Sequence, residues 1–262
     1  MPEVHRIKLE LGGRPVQFDL NYHPTWQGRV IYEPEVVNIM GRCVKPGDCV
    51  IDAGANLGFF TLLASRLVGE DGLVIAFDAD PRAYRDLCRN LKLNRINNVL
   101  PLELALYSKD HKEVPFWVTD REGYSSLLEI IGATSHVVEM RCLDTLLTDP
   151  NAQPQFMKID CEGAEEYILK GARRILEAGV DCIVLELNFY LLGCMGSSPD
   201  VIRKLMYDMD YDMFVISLGD GNGGYLKPYL VGRDQEFKIQ GDRHYMNVMF
   251  STVAKVDELW GA

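Results

Sequence analysis

One glycine-containing segment and a set of acidic residues have types and spacing suited to chemistry. Residues 50–59 read V-I-D-A-G-A-N-L-G-F, and the two glycines would let the backbone approach a bound ligand closely. Carboxylates can accept hydrogen bonds from hydroxyl groups, accept protons or bind cations. The acidic residues at the ends of predicted strands, or just after them, are Asp78, Asp80, Asp160 and Glu186. Together they predict a ligand site at the strand ends, although glycines alone are also consistent with a tight turn that binds nothing.

The glycine segment favours a cationic cofactor over a dinucleotide. Its pattern at residues 52–58 is D-x-G-x-N-x-G, which differs from the G-x-G-x-x-G loop that binds a pyrophosphate. The Asp52 carboxylate would repel phosphate groups, whereas it would attract the sulfonium and ammonium groups of S-adenosylmethionine (SAM). Asp78 could accept hydrogen bonds from both ribose hydroxyls, and Asp80 competes for that assignment. We therefore expect SAM, and not NAD, as the cofactor.

Alternating strands and helices must position these residues. Short apolar runs predict strands over 49–53, 73–77, 98–106, 156–159, 182–187, 213–217 and 245–251. The segments between them predict helices over 34–43, 59–68, 81–93, 164–178 and 201–209. Repeated β-α-β units require right-handed crossovers, so we expect an α/β fold with a mainly parallel, seven-stranded sheet and helices on both faces. Ligands bind such sheets at the carboxyl ends of the strands, where the glycine segment and the acidic residues lie.

The first twenty residues alternate between apolar and polar side chains with a period of two. Ile7, Leu9 and Leu11 share one face, two glycines follow at 12–13, and the alternation resumes through Leu20. This pattern predicts an N-terminal β-hairpin. Strand-like segments at 114–119 and 137–141 predict a strand insertion near residues 110–145. We expect a single domain over 1–262, with the hairpin and a lead-in at 1–32 and the core at 46–251.

Composition and charge exclude several classes of protein. The 262 residues are 47% hydrophobic and 25% charged, which is ordinary for a globular protein and excludes wholesale disorder. A formal net charge of −11 opposes binding to nucleic acid. The chain has no apolar run long enough to span a bilayer, no apolar signal core at its N-terminus and no C-x-x-C pair among its cysteines. We expect a cytoplasmic protein with reduced thiols, no membrane span and a small-molecule partner.

Asp160 is the first candidate for a catalytic role. It ends the fourth predicted strand, where a carboxylate could position an alcohol or accept its proton. Glu165 follows in the first turn of a helix, where attraction to the helix dipole is a sufficient explanation. Asp160, Glu186 and Asn188 could converge as oxygen ligands for Mg²⁺, but acidic strand ends are more often only solvated, so we do not favour a metal. His244, which precedes the last predicted strand, is a second candidate base.

Six motifs carry a resemblance to a known family. They are Y-E-P-E at 32–35, P-G-D-C-V-I-D-A-G-A-N-L-G at 46–58, G-Y-S-S-L at 123–127, M-K-I-D-C-E-G-A-E at 157–165, L-K-G-A at 169–172 and N-V-M-F at 247–250. Through them the chain resembles the FkbM family of class I SAM-dependent methyltransferases, which implies a Rossmann-like fold. One departure is F-D-A-D-P at 77–81, where the family tends to carry a glutamate followed by proline.

The motifs and this resemblance together suggest residue roles. The expected cofactor-binding residues are Asp52, Gly54, Asn56, Gly58, Phe59, Asp78, Ala79, Ala105 and Asp160. The expected substrate-binding residues are Glu33, Ser125 and Ser126, and the expected catalytic residues are Asp160, Glu186 and His244. The resemblance implies O-methylation of a sugar, glycolipid or natural-product-like small molecule. N-methylation of a small amine and a catalytically silent SAM-binding protein are the alternatives.

Overall fold

The computed structural model describes residues 3–11, 13–22, 32–119, 125–129, 131–149, 152–216, 227–235, 237 and 244–261. In chain order its strands are β1 (Glu3–Leu11), β2 (Arg14–Tyr22), β3 (Cys49–Ala53), β4 (Leu73–Phe77), β5 (Val99–Leu102), β6 (Ala105–Leu106), β7 (His111–Val118), β8 (Thr134–Arg141), β9 (Phe156–Ile159), β10 (Cys182–Asn188), β11 (Asp212–Val215), β12 (Tyr229–Leu230) and β13 (Tyr245–Ser251). Its helices are α1 (Pro34–Cys43), α2 (Phe59–Val68), α3 (Pro81–Leu93), α4 (Leu143–Leu146), α5 (Glu165–Lys170), α6 (Arg173–Ala178), α7 (Phe189–Cys194), α8 (Pro199–Tyr207) and α9 (Val253–Trp260).

A central sheet with strand order β12-β11-β13-β10-β9-β3-β4-β5 organises the described residues. The five strands from β10 to β5 pair in parallel, whereas β13, β11 and β12 pair antiparallel. All five residues of β3 are buried, as expected for a strand covered by helices on both faces. The predicted number of seven strands is wrong by one, because the two-residue strand β12 joins the edge of the sheet.

The predicted N-terminal hairpin is present as β1 and β2, which pair antiparallel from Glu3↔Tyr22 to Leu11↔Arg14. Its apolar face is buried in the same core cluster as α2. A hydrogen bond also holds the hairpin in place: the side chain of Asn90 on α3 accepts from the Asn21 backbone N–H at 2.8 Å. The hairpin is therefore attached to α2, which follows the glycine segment, and to α3.

The insertion forms a separate three-stranded sheet in the order β6-β8-β7. The predicted strand at 98–106 is divided, because the chain leaves the central sheet after Leu102 and pairs with β8 from Ala105 onward. Ala105 and Phe116 belong to a small apolar cluster between the two sheets. The insertion thereby adds a wall beside the carboxyl ends of the central strands.

The predicted helix at 164–178 is also divided, into α5 and α6. The carbonyl oxygen of Gly171 accepts a hydrogen bond from the Asp144 backbone N–H at 2.9 Å, which diverts it from the helical pattern. The Asp144 carboxylate then accepts from the N–H groups of Arg174 and Ile175, so that a new helix starts there. Across the described residues, no helix has the combination of length and apolar character that crossing a bilayer requires.

Candidate active site

A cleft with about 870 Å³ of open space lies at the carboxyl ends of the parallel strands, next to the inserted sheet. Many of the residues predicted from the sequence line it: Gly54, Asn56, Asp78, Ala79, Ala105, Ser125, Asp160 and Glu186. The glycine segment and both acidic groups therefore meet in one cavity, as the strand topology predicts.

The glycine segment turns tightly at the end of β3. Gly54 has a φ of +79°, and a Cβ at this position would lie 1.8 Å from the backbone oxygen of Asp160. The N–H groups of Gly54 and Ala55 both donate to the Phe77 oxygen at 2.9 Å, which ties the turn to β4. Asn56 also has a positive φ, of 50°. The backbone thus runs close to the turn after β9, with no room for a side chain between them.

Gly58 and Phe59 do not line the cleft, although the sequence suggests cofactor contacts for both. Gly58 has a φ of +93°, and its Cβ would lie 2.6 Å from Cδ1 of Leu87. Phe59 is buried and packs edge-on against Phe18 at a centroid distance of 5.5 Å. Gly58 thus permits helix packing, and Phe59 belongs to the core under the hairpin.

Asp78 and Asp80 have different environments, which separates the two candidates for a ribose contact. The Asp78 carboxylate accepts hydrogen bonds from the backbone N–H groups of Asn56 at 2.7 Å and Asp80 at 2.9 Å. Burial raises the pKa of Asp78 to about 7. Asp80 caps α3 through the Arg82 N–H, pairs with the Arg82 guanidinium and accepts from the Ser125 hydroxyl at 2.8 Å. Two backbone N–H groups hold the Asp78 carboxylate rigidly, whereas the Asp80 carboxylate is already bonded to the side chains of Arg82 and Ser125.

Asp52 lies behind the glycine segment and does not line the cleft. Only 2% of it is exposed, and its Oδ2 accepts a hydrogen bond from the Thr61 hydroxyl at 2.5 Å. Burial raises its pKa, and the nearby ammonium of Lys158 acts in the opposite direction. The direct cofactor contact expected for Asp52 is not part of this geometry, because β3 turns the side chain toward α2.

Three carboxyl groups converge on the cleft from β9 and β10. Ligand oxygens of Asp160, Glu162 and Glu186 lie within 4.8 Å of one another. Glu162 has a φ of 50° and precedes Gly163 with a φ of 100°, so the turn after β9 is left-handed at two successive residues. A Cβ at Gly163 would lie 2.8 Å from the carbonyl group of Leu191, which accounts for glycine there. This turn places the Glu162 side chain in the cleft.

The trio expected from the sequence was Asp160, Glu186 and Asn188, and the structure places Glu162 in the third position instead. The Asn188 Oδ1 accepts a hydrogen bond from the Leu191 N–H at 3.2 Å, because Asn188 is the N-cap of α7. Its Nδ2 donates to Oε2 of Glu162 at 3.3 Å. Asn188 therefore supports the cluster from behind. The sequence signal for Glu162 is the Glu-Gly pair at 162–163, two residues beyond the predicted strand at 156–159.

Burial and mutual repulsion perturb the carboxyl groups of this cluster. Burial raises the pKa of Glu162 to about 8, and the charge of Asp160 adds to the effect. For the same reasons the pKa of Glu186 rises to about 10. Glu33, at the N-cap position of α1, is 8% exposed and has its pKa raised by burial. Perturbed acids gathered in a cleft are typical of functional sites.

Glu165 stabilises the turn after β9 by hydrogen bonds, in addition to its favourable position at the start of a helix. It is 1% exposed, and its Oε1 accepts hydrogen bonds from the N–H groups of Cys161 at 3.0 Å and Gly163 at 3.2 Å. Burial raises its pKa to about 7. Glu165 therefore holds the backbone that carries Asp160 and Glu162.

Two further predicted residues, Ser126 and His244, do not line the cleft. Ser126 is buried behind the wall, where its hydroxyl donates to the Glu162 carbonyl oxygen at 3.3 Å. His244 is exposed and is not a lining residue, and its carbonyl oxygen accepts from the Phe189 N–H at 3.0 Å. Gly123 and Tyr124 of the G-Y-S-S-L motif lie outside the described residues. Sequence reasoning did not assign site roles to Tyr32, Phe116, Leu127 and Glu162, which also line the cleft.

Two characterised proteins share partial similarity with this chain. A tRNA(Phe) (4-demethylwyosine(37)-C(7)) aminocarboxypropyltransferase from Methanocaldococcus jannaschii is 40% identical over 55 residues, or 21% of this chain and 22% of that protein. Methyltransferase 1 from Beauveria bassiana is 25% identical over 163 residues, or 53% of this chain and 64% of that protein. The chain thus spans less than two thirds of the length of these relatives.

A solved structure and a family model are also similar to this chain. The solved structure of Methyltransferase FkbM from Methylobacillus flagellatus KT is similar with a TM-score of 0.47 and 14% identity, over 84% of this chain and 55% of that one. The family model described as Methyltransferase FkbM domain matches residues 52–213, which is more than half of the chain and includes the glycine segment, Asp78, Asp160, Glu162 and Glu186. The chain therefore belongs to the FkbM methyltransferase family.

Proposed function

We propose that this protein is a SAM-dependent methyltransferase that methylates a hydroxyl group of a sugar, glycolipid or natural-product-like small molecule. One observation carries the proposal: the turn at Gly54, the rigid carboxylate of Asp78 and the cluster of Asp160, Glu162 and Glu186 line the same cleft. A cofactor site and a group of potential proton acceptors are therefore next to each other.

The cleft has groups that fit SAM. Each Asp78 oxygen accepts one backbone hydrogen bond and keeps a lone pair, so the carboxylate could also accept from both ribose hydroxyls. Gly54 and Asn56 both line the cleft, and Gly54 has no side chain of its own to keep a ligand away from its backbone. The carboxyl groups at the strand ends suit the positive charges of SAM.

When bound, SAM supplies an electrophilic methyl group on a sulfonium. Methyl transfer would form a bond between the acceptor oxygen and the methyl carbon and break the carbon–sulfur bond, whose electron pair would remain on sulfur to give S-adenosylhomocysteine (SAH). The hydroxyl proton passes to a base, and we assign this role to Asp160. Lys158 donates a hydrogen bond to Asp160 Oδ2 at 2.9 Å, which orients the carboxylate and leaves its other oxygen available.

The acidic surface supports a small acceptor over a nucleic acid. The net charge of −11 opposes docking on phosphate groups, and the candidate site is a cleft, which suits a small molecule or the end of a glycan. We also propose that residues 1–262 act as one domain in the cytoplasm, as the composition suggests.

Product analysis tests the proposed function. Purified protein would be incubated with SAM labelled in the methyl group and with a panel of hydroxylated glycans, glycolipids and metabolites, alongside matched amines. We expect SAH formation together with a labelled methyl ether on an alcohol-bearing acceptor. A labelled amine would instead support N-methylation. Tight SAH binding without turnover on any class of acceptor would support the silent binding protein.

A further inference from the structure

The cluster of Asp160, Glu162 and Glu186 has a geometry that a proton acceptor alone does not require. Three carboxylates from two strand ends place ligand oxygens within 4.8 Å of one another. Around a hard divalent cation, with metal–oxygen distances of about 2.0 to 2.6 Å, ligand oxygens lie roughly 3 to 5 Å apart. The spacing therefore matches the ligand set of one oxygen-preferring ion.

A fourth carboxyl group points to the same place from a different part of the chain. Glu33 precedes α1, and its carboxyl group lies within hydrogen-bonding distance of Glu186 and feels the charges of Lys158 and Asp160. Glu33 is 8% exposed, and its buried Oε2 has no hydrogen-bond partner among the residues that the structure describes. An acceptor oxygen left without a donor in a buried position is costly unless a cation or proton satisfies it.

The local charge balance also leaves room for a cation. Among the described residues that face this cluster, Lys158 is the positive side chain, and its ammonium is already bonded to Oδ2 of Asp160. Glu33, Glu162 and Glu186 are left without a cationic partner of their own. Asn188 donates to Glu162 Oε2 at 3.3 Å, as outer-sphere groups orient carboxylate ligands in metal sites.

We propose that Asp160, Glu162 and Glu186 bind one divalent cation of the Mg²⁺, Mn²⁺ or Ca²⁺ class, with the carboxyl group of Glu33 beside Glu186 adding negative charge to the site. These ions prefer carboxylate oxygens, and the set contains no thiolate or imidazole that would select zinc. The role of the ion rests on the proposed function: it would bind the acceptor oxygen and make the hydroxyl proton more acidic.

Direct titration of the whole chain with MnCl₂ tests the site. Calorimetry and the electron paramagnetic resonance of free Mn²⁺ should show one site with a Kd of about 10⁻⁴ M or tighter. Glu162→Gln and Glu186→Gln should each weaken binding by at least about tenfold, since loss of even an outer-sphere partner can have that effect. The matched control is Asp80→Asn in the same cleft, whose carboxylate Arg82 already neutralises, and it should bind Mn²⁺ as the wild type does.

Glutamine preserves the side-chain volume of glutamate, and the two substitutions lie at the ends of different strands. Thermal unfolding shows whether each variant is folded. A variant that keeps the wild-type transition temperature gives a valid binding result. The proposal is overturned if the wild type binds Mn²⁺ with a Kd weaker than about 10⁻⁴ M, or if both variants bind it as the wild type does. SAH titration of the same samples separates this result from the proposed function. If only the cation site is wrong, the wild type binds SAH but not Mn²⁺. If only the cofactor assignment is wrong, the wild type binds Mn²⁺ but not SAH.

Discussion

The ammonium of Lys158 lies 2.9 Å from Oδ2 of Asp160, with 4% of the lysine side chain and 20% of the aspartate side chain exposed. The same ammonium lies 4.8 Å from the centre of the Phe60 ring. Burial lowers the pKa of Lys158, but the carboxylates of Asp160, Glu33 and Asp52 outweigh it, so the pKa is raised and the lysine stays charged. Lys158 thus links the acid behind the glycine segment with the acids in the cleft.

Replacing Lys158 by methionine should destabilise the protein strongly. Removal of one partner of a buried ion pair leaves an uncompensated buried charge, and the free energy of unfolding should fall by about 3 to 5 kcal/mol. Urea denaturation measures this. The control is Lys204→Met, whose partner Asp208 is 58% exposed, and which should cost about 1 kcal/mol or less. Equal losses in the two variants would contradict the role given to Lys158.

Asp78→Ala should weaken SAH binding more than Asp80→Ala. The first variant removes an acceptor that faces the cleft, and a hydrogen bond to a charged group contributes about 1.5 to 3 kcal/mol. Asp80 caps α3, so its removal should mainly lower stability, by about 0.5 to 2 kcal/mol. Calorimetry with SAH and thermal unfolding measure the two quantities. The reverse ranking of affinities would move the ribose contact to Asp80.

Affinity for SAH should increase with pH between about 6 and 8. The pKa of Asp78 is about 7 because of burial and the neighbouring charges of Asp80 and Asp52, which the N–H groups of Asp80 and Asn56 partly offset. The ionised carboxylate is the better acceptor for ribose hydroxyls, so binding should weaken by up to about tenfold per pH unit below 7. Calorimetry across this range should give a flatter profile for Asp78→Ala.

The stability of the cofactor-free protein should change with pH in the opposite direction. A carboxyl group whose folded pKa is about 7, against about 3.9 when unfolded, binds more protons in the folded state between these values. Its contribution is therefore present at low pH and is lost as the pH rises toward 7. Asp78→Ala should reduce this slope in chemical denaturation measured from pH 5 to 8. A slope identical to wild type would contradict the raised pKa.

Asp160→Asn should lower turnover by roughly 100-fold or more, which is the scale of a lost acid–base group. Asparagine keeps the volume but cannot accept the proton. The matched control is Glu165→Gln, because Oε1 alone accepts the hydrogen bonds from Cys161 and Gly163, and glutamine keeps that oxygen. Its rate should stay near wild type. Near-normal turnover by Asp160→Asn on a verified acceptor would remove Asp160 from the mechanism.

Local sequence patterns determined most of the secondary structure and the location of the site. The strands at 49–53, 73–77, 156–159 and 245–251 and the helices at 34–43, 59–68 and 81–93 have the predicted bounds. These elements follow from local signals, each of which depends only on neighbours in the chain. The signals are apolar runs, a proline at a helix start (Pro81) and a glycine after a strand (Gly54). The order of these signals alone places Gly54, Asp78 and Asp160 at one edge of a parallel sheet.

Tertiary structure decided which of these side chains share the cleft. Asp52 and Gly58 belong to the same motif as Gly54, yet Asp52 is buried against Thr61 and Gly58 packs on Leu87. Their orientation depends on how α2 and α3 pack, and no local pattern encodes that contact. The helix at 164–178 is likewise divided by Asp144, a residue distant in the chain.

The members of the acidic cluster were likewise determined partly by the sequence and partly by the tertiary structure. The sequence placed Asp160 and Glu186 at neighbouring strand ends, but the choice between Glu162 and Asn188 as the third oxygen donor required the backbone. Glu162 reaches the cleft because its φ is positive, and Asn188 is committed to the first turn of α7. Side-chain direction at a strand end depends on a few backbone torsions and on competing hydrogen bonds, which only the folded chain determines.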